Sequence, residues 1–119
     1  MSVEEKQANA NRSADRWLNL LDRAEYNRSW SEATAYFQNN ITREEWQRTL
    51  QGIRNPLGET LSRKVASRQY ATSLLGSPDG EYVVIQYSTS FENKESAIET
   101  VTPMLDRNGE WKVSGYYIK

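Results

Sequence analysis

GEYVVIQYSTSF, residues 80–91, is the densest run of β-branched and aromatic residues in this 119-residue chain, and its reading decides the fold. At the two-residue period of a strand, Val83, Ile85, Tyr87, Thr89 and Phe91 fall on one face and Tyr82, Val84, Gln86 and Ser88 on the other. Both faces are at least half apolar. The stretch therefore predicts a strand in mid-sheet, with helices over one side and a pocket or another protein over the other.

On the C-terminal side, residues 92–96 predict a loop and 97–105 a third strand, with Asn108-Gly109 as a tight hairpin into a last strand over 110–118. On the N-terminal side, SPDG at 77–80 is a turn, because Pro78 fixes φ and Gly80 tolerates φ > 0. Before it, residues 59–75 predict a first strand. Leu61, Val65 and Ala71 keep one phase and Ala66, Tyr70 and Leu74 the other, so a bulge or bend is expected near Ser67.

Upstream of Gly58 the apolar period is helical. Ala10, Ala14, Trp17, Leu18, Leu21 and Ala24 form a stripe that predicts a helix over 8–25, with residues 1–7 disordered and Asp22 on the solvent side. Ser29 with Glu32 fits a capping box for a short second helix, whose inward face is Trp30, Ala33 and Phe37. Thr42 with Glu45 repeats that signature, and Ile41 stands where a hydrophobic staple meets Trp46. Trp46, Leu50 and Ile53 carry the third helix to Asn55-Pro56 and Gly58. The expectation is one domain over residues 8–119, of class α+β: N-terminal helices packed on a curved four-stranded antiparallel sheet.

Composition narrows function by exclusion. The chain has no cysteine and no histidine, which removes disulfides, thiolate nucleophiles, Cys-rich zinc sites and every triad that works through imidazole. Fifteen basic residues against 16 acidic ones, interspersed, give no field for a phosphate backbone, so no nucleic acid is expected as a partner. No apolar run approaches the ~20 residues of a membrane span, so no membrane insertion is expected. Gly58, Gly76, Gly80, Gly109 and Gly115 are too dispersed for a phosphate-cradling loop. Asp79, Glu81, Asp106 and Glu110 lack the spacing of a calcium loop, so no metal is expected. Neither is a cofactor. Residues 1–17 are polar and lack the apolar core of a signal peptide.

The order of elements and several motifs carry a resemblance. WLNLLD at 17–22, Tyr26 with Ser29-Trp30, Trp46, Arg54 with Pro56-Leu57-Gly58, and Ser62-Arg63 belong to it. So do PDGEYVVIQY at 78–87, Phe91 with Lys94, ETVTPM at 99–104, and Trp111 with Lys112 and VSGYYIK at 113–119. The pattern resembles the bacterial family called domain of unknown function 4019, within the nuclear transport factor 2-like (cystatin-like) superfamily. Leu75 departs from it, standing where proline is expected. The resemblance implies a cone-shaped fold, sheet-to-sheet dimers, and a periplasmic or secreted location as a mature form. A chain that is the full gene product would instead be cytoplasmic.

The candidate site residues are Arg63, Tyr70, Tyr82, Tyr87, Glu99 and Tyr116. Arg63 and Glu99 are charged residues in partly apolar strands. Brought together, they form either a buried bidentate ion pair without chemistry or part of a reactive pocket. In the second reading Glu99 is a general base on a small apolar substrate, with Tyr87 or Tyr116 donating, as in an isomerase, dehydratase or hydrolase. The preferred reading is non-catalytic: a binding or interaction module that uses the concave sheet face for a small apolar ligand or for a homodimer.

Overall fold

The computed structural model describes residues 1–119 and is an α+β domain with four helices and one antiparallel sheet. The helices are α1 (Val3–Asp22), α2 (Tyr26–Ser31), α3 (Ala35–Asn40) and α4 (Arg43–Leu57). The strands are β1 (Thr60–Ala71), β2 (Tyr82–Phe91), β3 (Lys94–Leu105) and β4 (Trp111–Ile118), in the order β1-β2-β3-β4. The 80–91 stretch is thus an interior strand, as its two faces require.

Five local readings need correction. Residues 1–7 are not disordered: α1 starts at Val3, because Ser2 and Glu5 close a capping box. It also stops earlier, at Asp22. The Glu25 N–H bonds the Leu20 carbonyl, the Ala24 N–H bonds the Leu21 carbonyl, and Ala24 takes φ 59°. That is a Schellman termination with alanine in the place glycine usually fills. Ser29 caps nothing; it is buried inside α2, where its hydroxyl donates to the Tyr26 carbonyl (2.6 Å) and accepts from Trp46 Nε1 (2.9 Å). Two short helices stand where one was expected, the second capped by Thr34. Finally, β3 begins at Lys94, so the β2–β3 connection is the tight turn Glu92-Asn93 rather than a loop.

Other readings hold. Thr42 and Glu45 form the predicted box at the start of α4. The register of β1 on β2 skips Leu61 and Ala66, and the second skip is the bulge beside Ser67. Asn108-Gly109 lies in the β3–β4 turn, with Gly109 at φ 79°.

Helices cover one face of the sheet only. Val83, Ile85, Tyr87 and Val101 from the strands pack with Trp17, Leu18, Leu21, Phe37, Trp46 and Leu50 from the helices in one core. The β2–β3 turn is latched to the end of α4. Asn93 N–H bonds the Leu57 carbonyl, Asn93 Nδ2 bonds the Pro56 carbonyl, and Glu92 N–H bonds the Glu59 carbonyl.

Gly58 makes this latch possible. Its φ of 76° with ψ of −156° is a glycine conformation, and a Cβ there would lie 2.4 Å from Glu92 Oε1 and 2.9 Å from Glu92 Cβ. Gly58→Ala is expected to destabilise the domain by about 1–3 kcal/mol, read as a lower urea midpoint at unchanged slope. Adding Glu92→Ala is expected to recover only the part due to the clash. A wild-type midpoint for Gly58→Ala alone would refute the strain.

Candidate functional site

Three of the six predicted site residues come together under the helix-covered face of the sheet: Arg63 of β1, Glu99 of β3 and Tyr116 of β4. The register makes this unavoidable. Arg63 stands opposite Thr89, Glu99 opposite Tyr87, and Tyr116 opposite Val101, all on the face that carries Val83 and Ile85.

Glu99 is fully buried and its carboxylate is saturated. Oε1 accepts from Arg63 Nε (2.7 Å) and from the Thr89 hydroxyl (2.7 Å), and Oε2 accepts from the Tyr116 hydroxyl (2.6 Å). Arg54 Nη1 of α4 adds a second cation at 3.8 Å from Oε2. Burial, with the Glu99 charge beside it, pushes the Tyr116 phenol far above its ordinary range. Tyr116 therefore stays protonated as the donor.

The expected bidentate pairing exists, on a different partner. Arg63 turns its fork to Asp22, with Nη1 on Oδ2 at 2.7 Å and Nη2 on Oδ1 at 2.9 Å, and gives Glu99 only its Nε. Asp22 Oδ1 also accepts from Arg54 Nη2 (2.7 Å) and the Thr60 hydroxyl (2.9 Å). Two arginines and two carboxylates thus form one cluster where α1, α4, β1, β3 and β4 meet, in which Arg54 Nε and Nη1 are buried without a hydrogen-bond partner. Arg54 completes it by stacking on Phe91, 5.0 Å from the ring centroid. Burial raises the Asp22 carboxyl, but the bonds from Arg63 and Arg54 outweigh it and hold the group below the usual carboxylate range.

Asp22 and Arg54 were not among the sequence candidates. Asp22 sits at the C-terminal end of α1, where the helix dipole disfavours an anion, and that mismatch was the available signal. Arg54 sits in the last turn of α4 among the motif residues, one step before the Asn55-Pro56 break.

The other three candidates make their bonds outside the cluster, although Tyr87 stands beside it, opposite Glu99. Tyr87 donates to Asp15 Oδ1 (2.8 Å) and accepts from Asn11 Nδ2 (3.2 Å), and burial together with Asp15 pushes its phenol up. Tyr70 donates to Glu81 Oε1 (2.7 Å), which also pairs with Lys6 (2.5 Å). Tyr82 faces the opposite side of the sheet, with its hydroxyl on the Pro78 carbonyl (2.5 Å). None of the five main depressions of the surface, each about 250–310 Å³, is lined by Tyr70, Tyr82, Tyr87, Glu99 or Tyr116. The space a ligand would need on the helix-covered face is filled by Trp17, Phe37, Trp46 and Tyr116, whose rings touch in sequence.

Fold and site together define a small α+β domain whose buried charges serve one another. The chain belongs to the family described as "Protein of unknown function (DUF4019)", whose model matches residues 13–116. No curated protein matches the chain. No helix is long and apolar enough to cross a membrane.

Proposed function

We propose that this chain is a non-catalytic interaction module of the bacterial cell envelope, with the cone-shaped nuclear transport factor 2-like fold, and that its uncovered sheet face seats a second copy of itself. Four antiparallel strands preceded by helices support the fold. The resemblance of family members to secreted and membrane-tethered proteins supports the location, and a periplasmic or secreted mature form is the version proposed.

The observation that carries the reading is the character of the uncovered face. Val84 and Gln86 of β2, Ile98, Thr100 and Thr102 of β3, and Tyr117 of β4 form its centre, and none is charged in a chain where 26% of residues are. Ile98 and Tyr117 are 45% and 53% exposed. Hydroxyl and amide groups both donate and accept, so the centre of such a face meets its own copy without orphaned donors, while Lys64 and Lys112 stand at its margins. Catalysis by Glu99 finds no comparable support, since its carboxylate has no exposed surface and all its neighbours are protein groups.

Native mass spectrometry at tens of micromolar is expected to give a dimer. Ile98→Asp combined with Tyr117→Asp is expected to raise the dissociation constant about a hundredfold, with an unchanged circular dichroism spectrum. A monomeric wild type, or a double variant that dimerises as before, would sink the proposal.

A further inference from the structure

The two edges of the sheet are treated differently. On the first half of β4 two outward carbonyls are taken: Thr34 N–H bonds Val113 (2.9 Å) and the Ser13 hydroxyl bonds Trp111 (2.6 Å). On β1 no backbone N–H or C=O between Thr60 and Ala71 has a partner other than β2. The strand is 12 residues long and exposed along most of its length. Natural edges left open in this way are templates for another strand.

Charge says which strand. From Thr60 to Pro78 the chain contains Arg63, Lys64 and Arg68 and no acidic residue, although it has 16 elsewhere. Arg63 is consumed by Asp22 and Glu99, while Lys64 and Arg68 have no acidic partner. A second copy brought edge to edge would align two strands of like charge, and cross-strand like charges repel. Lys64 and the bulge at Ala66 also guard against such self-pairing. They leave Ser67–Ala71 in regular register. Apolar cover is wanting as well. Val65 points to the same face as Tyr87 yet is 41% exposed, and the bulged Leu61 is 63% exposed.

We infer that the free edge of β1 docks an extended acidic segment of a partner protein as a fifth strand, with acidic residues opposite Lys64 and Arg68 and an apolar residue over Val65. The free backbone edge is distinct from the centre of the uncovered sheet face, although Lys64, opposite Ser88, points to that face, and the peptide experiment reads the edge apart from self-association.

The probe is a fluorescein-labelled peptide of about seven residues containing Glu-Val-Thr-Glu, its glutamates three apart because the bulge puts Lys64 and Arg68 on opposite faces of the sheet. Its controls are the lysine-for-glutamate counterpart and a proline-interrupted copy of the same charge. Fluorescence anisotropy is expected to show saturable binding of the glutamate peptide, weakened by salt. Each control and the Lys64→Glu/Arg68→Glu variant should bind about tenfold more weakly or worse. Hydrogen exchange should slow at amides of β1 and not on the uncovered sheet face. Absence of binding overturns the inference. So does equal binding of the proline-interrupted peptide, which would reduce the effect to charge alone. Concentration-dependent protection of β1 without peptide would assign the edge to a second copy and overturn it too.

Discussion

Glu99→Gln is expected to lower stability by about 3–5 kcal/mol, the range for removing one partner of a buried ion pair. The shape of the side chain is retained, so the loss comes from charge. Arg54 and Arg63, 4% and 15% exposed at the side chain, would be left with Asp22 as their only anion. The amide NH2 would also face a donor, either Arg63 Nε with the Thr89 hydroxyl or the Tyr116 hydroxyl, depending on which oxygen it replaces. Guanidinium denaturation at pH 7 reads the effect as a lower midpoint.

Two companion measurements identify the cause. Replacing Glu99 and Arg63 together by leucine and methionine removes both charges, and is expected to recover part of the loss. Asp22 supplies the pH signature. Its folded-state carboxyl titrates below the ordinary value of about 3.9. Its contribution is therefore complete above that value and is lost as pH falls through the lower, folded-state one. Wild type should lose stability below about pH 4, and Asp22→Asn should lose less over the same window. A Glu99→Gln midpoint within error of wild type would show that the cluster contributes nothing net to folding.

How much of this could be read beforehand follows from the range over which each feature is decided. The number and order of the strands, the Thr42–Glu45 box and the β1 bulge depend on neighbours in sequence and are as the patterns put them, whereas the ends of β1 and β3 are not. Ser29 shows where that logic stops. Ser-x-x-Glu is a cap signature, yet the hydroxyl is claimed by Trp46, 17 residues away, and the helix starts at Tyr26 instead. The site divides in the same manner. Arg63 and Glu99 stood out as charges within strands, and antiparallel pairing through β2 delivers them to one place. Asp22 and Arg54 sit on helices, where a charge usually means a solvated face. They meet the strands only because the last turns of α1 and α4 end beside Arg63 and Glu99. Tyr82 and Tyr87, five residues apart, were candidates for one pocket, but odd spacing in a strand puts them on opposite faces.

The open question in the sequence was whether the sheet encloses a cavity or side chains, and Trp17 is the residue that settles it. Trp17 is 3% exposed and reaches four elements at once. Its indole N–H bonds the Ser29 carbonyl of α2 (2.8 Å), and its ring lies 6.4 Å from Phe37 of α3, 6.1 Å from Trp46 of α4 and 5.5 Å from Tyr116 of β4. Trp17→Ala is expected to cost about 3–5 kcal/mol. For a domain of this size that is a fall in Tm of about 12–20 °C. Trp30, by contrast, is only partly buried, and Trp30→Ala is expected to cost less than half as much. Differential scanning calorimetry on the two variants makes the comparison. If Trp17→Ala melts no lower than Trp30→Ala, the space beneath the sheet is not a packed core, and the case against a ligand there fails with it. If the variant melts far lower and gains affinity for a small apolar probe such as benzene, the hole left by the indole is the cavity that the native chain fills for itself.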